Sequence, residues 1–169
     1  MSILTPNSFN GGEQNIADIS NDGVQESLQV FIDKYEVRFL KELLGVSLAN
    51  EFIAGLAEDP IEQKWIDLRD DTDLKEMLKC YVFYWYTNYQ ITLTSGTGEV
   101  KPSNENSKVA SAYPKMVFSW NEMVKMTRLF DLSTENYPDY LRPYWRRYDR
   151  WFEGCEINEI YYYKNRYGL

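Results

Sequence analysis

The chain has 169 residues, 44% of them hydrophobic and 26% charged, with a net charge of −8, a composition that suits one soluble domain with or without arms. It contains no histidine, and 16% of its residues are aromatic: 14 Tyr, 8 Phe and 5 Trp. The missing histidine excludes Ser-His-Asp and Cys-His catalysis, imidazole proton shuttles and His-containing metal sites.

In chain order, residues 1–22 hold Pro6, Gly11, Gly12 and several Asn and Asp but few large apolar groups, which predicts an extended N-terminal arm outside the core. From residue 23 to residue 153 the pattern predicts a helical domain. Val24, Leu28, Phe31, Ile32, Tyr35, Phe39 and Leu43 form one stripe at helical spacing, with Asn21 or Asp22 as cap and Gly45 as stop. A short helix follows with Leu48, Phe52, Ile53 and Leu56 on its apolar face, and Pro60 is placed to open another through Trp65 and Leu68. The strongest helix carries Leu74, Met77, Leu78, Tyr81, Val82, Trp85 and Tyr89 on its main stripe, with Phe83, Tyr84 and Tyr86 pointing elsewhere. A helix apolar on every side belongs in a core or between subunits, and the second option predicts an oligomer.

Residues 94–108 predict a long polar loop, and loops of that length in a compact domain are usually functional. A further helix presents Val109, Tyr113, Met116, Val117, Trp120 and Val124, with Pro114 either starting or kinking it. Tyr137 to Phe152 gathers aromatics on one side and Arg142, Arg146 and Arg150 on the other, the helix proper starting near Arg142. Gly154 ends it, and residues 154–169 are a Tyr-rich tail. The expected fold is therefore mainly α: a compact helical bundle with extended N- and C-terminal arms and a long central loop.

Charge is unevenly spread. Residues 1–80 carry 16 acidic and 7 basic side chains, residues 81–169 carry 10 and 11. Such a balance disfavours phosphate-led nucleic-acid binding. The first residues, Met1-Ser2-Ile3-Leu4-Thr5-Pro6, lack the pattern of a signal peptide, and no apolar run is long enough for a membrane. The expectation is a protein of a reducing cytoplasm, with Cys80 and Cys155 free, no membrane contact, and no metal or other cofactor.

Three constellations invite a sharper reading. Asp67, Asp70, Asp71 and Asp73 lack the spacing and glycine of a calcium loop, and a charged helix cap explains them better. Thr94 to Lys101 shares letters with a phosphate loop but fails its spacing, has Pro102 after the lysine and follows a helix rather than a strand. A flexible connector, or a loop docking on a neighbouring subunit, fits it better. Arg142, Arg146 and Arg150, with Arg147 beside them, form the one dense basic feature: either a solvated face meeting acidic residues or a nucleic-acid grip. The 26 acidic residues leave a carboxylate-pair enzyme open, although no motif selects a pair.

Residues 38–56, Lys64-Trp65 through Leu68, Leu74 to Lys79 with its Tyr/Phe/Trp helix, Gly96-x-Gly98-Glu-Val, Asn104-Glu-Asn-Ser and Trp120 to Val124 follow one another in an order that resembles the small head–tail connector (adaptor) proteins of tailed phages. The likeness is greatest to those of crAss-like and other Bacteroidetes phages. It spans roughly residues 24–130 and rests on pattern rather than a catalytic motif. The resemblance implies an all-α adaptor that is not an enzyme and assembles in the host cytoplasm into a homo-oligomeric ring, typically dodecameric, below the portal at the virion neck. Its implied partners are the portal protein, the next neck or tail ring, and DNA that slides through without specific binding. Residues expected at subunit or partner interfaces are Gly96, Gly98, Asn104, Glu105 and Asn106 of the loop. Arg142, Trp145, Arg146, Arg150, Trp151, Tyr161, Tyr162 and Tyr163 complete that set. The alternative from another class is a monomeric helical nucleic-acid-binding protein acting through Arg142 to Arg150.

Overall fold

Asn21 opens the first helix, α1 (Asp22–Leu44), by accepting from the N–H groups of Gly23 and Val24 with its side-chain oxygen. The computed structural model describes residues 2–91, 93–95, 98–100 and 113–129. Gly45 ends α1 at φ 78° and ψ 157°, a conformation that only glycine adopts without strain, and α2 (Val46–Gly55) starts on the next residue. The expected stop at Gly45 is therefore also a one-residue corner. α3 (Gln63–Asp70) starts three residues beyond Pro60, which follows a cis peptide bond rather than opening the helix as expected. α4 (Thr72–Ile91) follows almost directly, with Asp71 capping it: the Leu74 N–H donates to the Asp71 carboxylate at 2.7 Å. α5 (Tyr113–Leu129) has Pro114 in its first turn, where a missing N–H costs nothing, so the proline starts this helix.

Among the described residues the fold is mainly helical, as the hydrophobic periodicity predicts. α4 is its axis, packed against α5, α1 and α3, while α2 packs on α1. Leu28, Ile32, Tyr35, Phe39 and Leu43 of α1 are buried, and Val24 and Phe31 pack against the core from its edge. Leu48 and Phe52 of α2, Trp65 and Leu68 of α3, and Met116, Val117, Met123 and Val124 of α5 are buried as well.

Three expectations are corrected. The N-terminal arm is not outside the core: Leu4 and Phe9 are buried and Ile19 nearly so, around a 3-10 turn at Pro6–Phe9. The segment lacks α-helix but supplies apolar side chains at wide intervals, each filling a gap between helices. α4 needs no second subunit to hide its aromatic faces. Phe83 and Tyr86, expected to point away from the main stripe, are buried within the same chain, because α1, α5 and the N-terminal segment cover α4 from different sides. Tyr89, expected on the stripe, is instead 54% exposed near the helix end, resting beside Phe31.

The long loop begins as a hairpin. β1 (Leu93–Ser95) pairs antiparallel with β2 (Gly98–Val100) in the register Leu93 to Val100, Thr94 to Glu99 and Ser95 to Gly98. Two residues separate the paired ends, and a two-residue interval starting with glycine is a hairpin signal. The remainder of the loop, the helix expected around Arg142 and the tail at 154–169 lie outside the described residues, as does Val109.

Candidate interaction surfaces

Of the residues expected at interfaces, Gly98 is described, as the first residue of β2 opposite Ser95. Gly96, Asn104, Glu105, Asn106, Arg142, Trp145, Arg146, Arg150, Trp151, Tyr161, Tyr162 and Tyr163 lie outside the described residues. What the structure does describe is a rigid aromatic scaffold and the surface it carries.

The scaffold runs through the contact of α1 with α4 and α5. Tyr35 stacks nearly parallel on Trp85, 5.1 Å between ring centres, and Phe31 meets Tyr86 edge-on at 5.4 Å. Phe39 and Tyr81 lie 5.0 Å apart, while Trp120 of α5 approaches Tyr84 to 4.6 Å and Tyr81 to 5.9 Å. Such pairs contribute about 0.5–1.5 kcal/mol each beyond their buried area, so the aromatic content first fixes the helices against one another. Arg38 lies over the same cluster, its guanidinium 5.3 Å from the Trp85 ring centre, while donating to Glu42 one turn on at 2.8 Å.

Two polar anchors tie the N-terminal segment to this scaffold. Glu36, buried on α1, accepts from the Ser2 hydroxyl at 2.8 Å, from the Ile3 N–H at 2.9 Å and from the Leu4 N–H at 3.2 Å. Burial raises its carboxyl above the ordinary value; the Ile3, Ser2 and Leu4 donors pull it part of the way back, and Asp33 adds to the rise. Gln14, also buried, donates to the Cys80 sulfur at 3.2 Å. Burial pushes that thiol up to about 11, so it is a neutral structural group at physiological pH and no nucleophile.

Three of the four residues of the acidic run have local partners, and Asp73 is exposed. Asp71 caps α4 and Asp67 accepts from Gln63. Asp70 pairs with Arg69 and Lys75, whose hydrogen bonds hold its carboxyl well below the usual carboxylate range. No group of three or more candidate metal ligands occurs among the described residues, nor does a helix long and apolar enough to cross a membrane.

Open depressions on the surface of the described residues include two with distinct linings. One, of about 560 Å³, is lined mainly by polar groups including Asp18, Asn21 and Ser27, with Tyr86 and Gln90 from α4. The other, of about 510 Å³, is lined by Lys34, Val37, Arg38, Lys41 and Glu42 of α1 and by Val46 of α2. The second is chemically unusual. Val30 and Val46 are 64% and 61% exposed, Val37 is also exposed, and Lys34 and Lys41 have no carboxylate partner among the described residues. Val30, Lys34, Val37 and Lys41 recur at intervals of four, three and four residues, so they form one stripe along α1. Sequence reading singled out the arginines at 142–150 and missed this second basic face; its signal was the helical spacing of Lys34, Arg38 and Lys41 opposite the core stripe.

Protein-family models, curated proteins and solved structures were compared with the chain, and none matches it.

Proposed function

We propose that this chain is a virion structural protein, a ring-forming head–tail connector that sits below the portal, extends the DNA channel and docks the tail. The observation that carries the reading is the ordered series of sequence segments resembling phage adaptors. Much of that series falls on α1 to α5, a helical unit whose apolar stripes are consumed internally. The exposed Val/Lys stripe on α1 supports it further, since a protein working by contact with copies of itself must leave a recognisable surface uncovered. The reading assigns no catalytic step to the chain. Net negative charge suits the wall of a channel, because it weakens adhesion to passing DNA.

The test is assembly. Sedimentation or mass photometry of the protein, alone and with the portal protein of the same genome, is expected to give particles many times 20.0 kDa. Electron microscopy of the particle neck is expected to place a ring of this chain beneath the portal. A protein that stays monomeric with portal and tail proteins alike, or that instead binds DNA in a salt-dependent manner lost on Arg→Ala changes at 142, 146, 147 and 150, overturns the reading.

A further inference from the structure

We infer that the α1 stripe of Val30, Lys34, Val37 and Lys41, with Val46 beside it, is one half of a head-to-tail contact between copies of this chain. The other half is the acidic surface running from the end of α2 through α3 to the start of α4. The inference deepens the ring assembly proposed above and rests on it.

Charge makes the argument first. Of the 7 basic residues among positions 1–80, three (Lys34, Arg38 and Lys41) lie within two turns of α1. Residues 51–73 carry 8 acidic and 2 basic side chains. Among these, Glu58, Asp59, Asp67 and Asp73 are exposed and have no cationic partner among the described residues. Among the described residues of one copy, therefore, neither these lysines nor these carboxylates have an oppositely charged partner; Lys34 lies over the Tyr35 ring and Asp67 accepts from the Gln63 amide. The fold holds them on different elements, and a second copy can bring them together.

Apolar chemistry makes the argument second. Three exposed valines on one face exceed what an isolated solvated helix face requires, and they alternate with the lysines rather than lying apart from them. Ile61 and Ile66, half-buried amid the acidic surface, give the valines an apolar counterpart. Arg38 is held in place by Glu42 and Trp85, so part of the basic face is ordered before any partner arrives. Because the two surfaces differ, the contact is heterologous, and repeated contacts of that kind close into a ring or run on as a filament.

The test uses the full-length chain and two charge-reversal variants. Lys34→Glu with Lys41→Glu makes the stripe acidic; Glu58→Lys with Asp59→Lys and Asp67→Lys makes the facing surface basic. Lys34, Glu58, Asp59 and Asp67 are exposed and Lys41 is half-buried, and circular dichroism checks that each variant folds. Each variant alone is expected to lose self-association by about ten-fold or more, while their equimolar mixture regains it, because in an alternating assembly reversed stripe meets reversed surface at one contact and native stripe meets native surface at the next. Wild-type assembly is also expected to loosen as salt rises from about 0.05 M to about 1 M. If the wild type assembles and the variants assemble equally well, or their mixture stays dissociated, this contact is wrong while the connector reading survives. If the swap succeeds but the ring ignores the portal, the connector reading is wrong while the contact stands. A wild type that never self-associates overturns both.

Discussion

The phenol of Tyr81 donates a 3.1 Å hydrogen bond to the carboxylate of Glu42, joining the central helix α4 to α1. Tyr81 is 1% exposed, and burial together with the negative charge of Glu42 pushes its phenol well above the ordinary tyrosine range. The hydroxyl therefore stays protonated and keeps donating. Glu42 in turn receives Arg38 on its other oxygen, so one carboxylate ties the buried scaffold to the basic surface face.

Tyr81→Phe keeps the ring contacts with Phe39 and Trp120 but removes the donor. It is expected to cost about 1–2 kcal/mol in urea unfolding, the range for a hydrogen bond to a charged acceptor that retains some solvent. Tyr81→Ala also empties the ring's space and is expected to cost about 3–5 kcal/mol. Equal losses in the two variants would show that the hydrogen bond, not the packing, dominates.

Glu36 supplies a pH dependence. Its carboxyl lies above the ordinary 4.5 in the folded chain, so the folded state holds this proton more tightly than the unfolded state does. The stability it contributes is fully present below the unfolded pKa and is lost as pH rises through the folded pKa. Urea unfolding of the wild type and Glu36→Gln between about pH 4 and pH 7 is expected to show the wild type losing stability relative to the variant as pH rises. The opposite slope would mean that the Ile3 and Leu4 donors outweigh burial.

Cys80 is predicted to be silent toward thiol reagents. In a Cys155→Ser background, a neutral-pH reaction with a disulfide reagent is expected to leave the folded protein unmodified and to proceed rapidly in denaturant. Rapid modification in the native state would place the thiol in an environment unlike the buried one contacting Gln14.

Gly55 is fixed by Trp65. A Cβ at position 55 would overlap Nε1 and Cδ1 of the Trp65 indole, at the point where the end of α2 meets α3. Gly55→Ala is expected to cost about 2–3 kcal/mol and to shift tryptophan emission as Trp65 moves away from Phe52. Ser47→Ala, exposed near the start of the same helix, provides the control with little change.

The sequence by itself determined the helices and most of their buried faces, because periodic apolar residues such as Leu28, Ile32, Tyr35 and Phe39 have one way to be buried together. It determined a cap at Asn21 or Asp22, the stop at Gly45 and a helix cap within the acidic run, because those depend on neighbours a few residues away; the structure selects Asn21 and Asp71. Only the tertiary structure decided that Leu4 and Phe9 belong to the core and that Glu36 anchors Ser2, Ile3 and Leu4. No local period links positions more than thirty residues apart. It also decided that the aromatics around α4 are enclosed by one chain, since coverage depends on how α1, α5 and the N-terminal segment are arranged in space. The exposed Val/Lys face was written in the spacing of α1, but it became visible as a surface once the opposite face was seen to be filled.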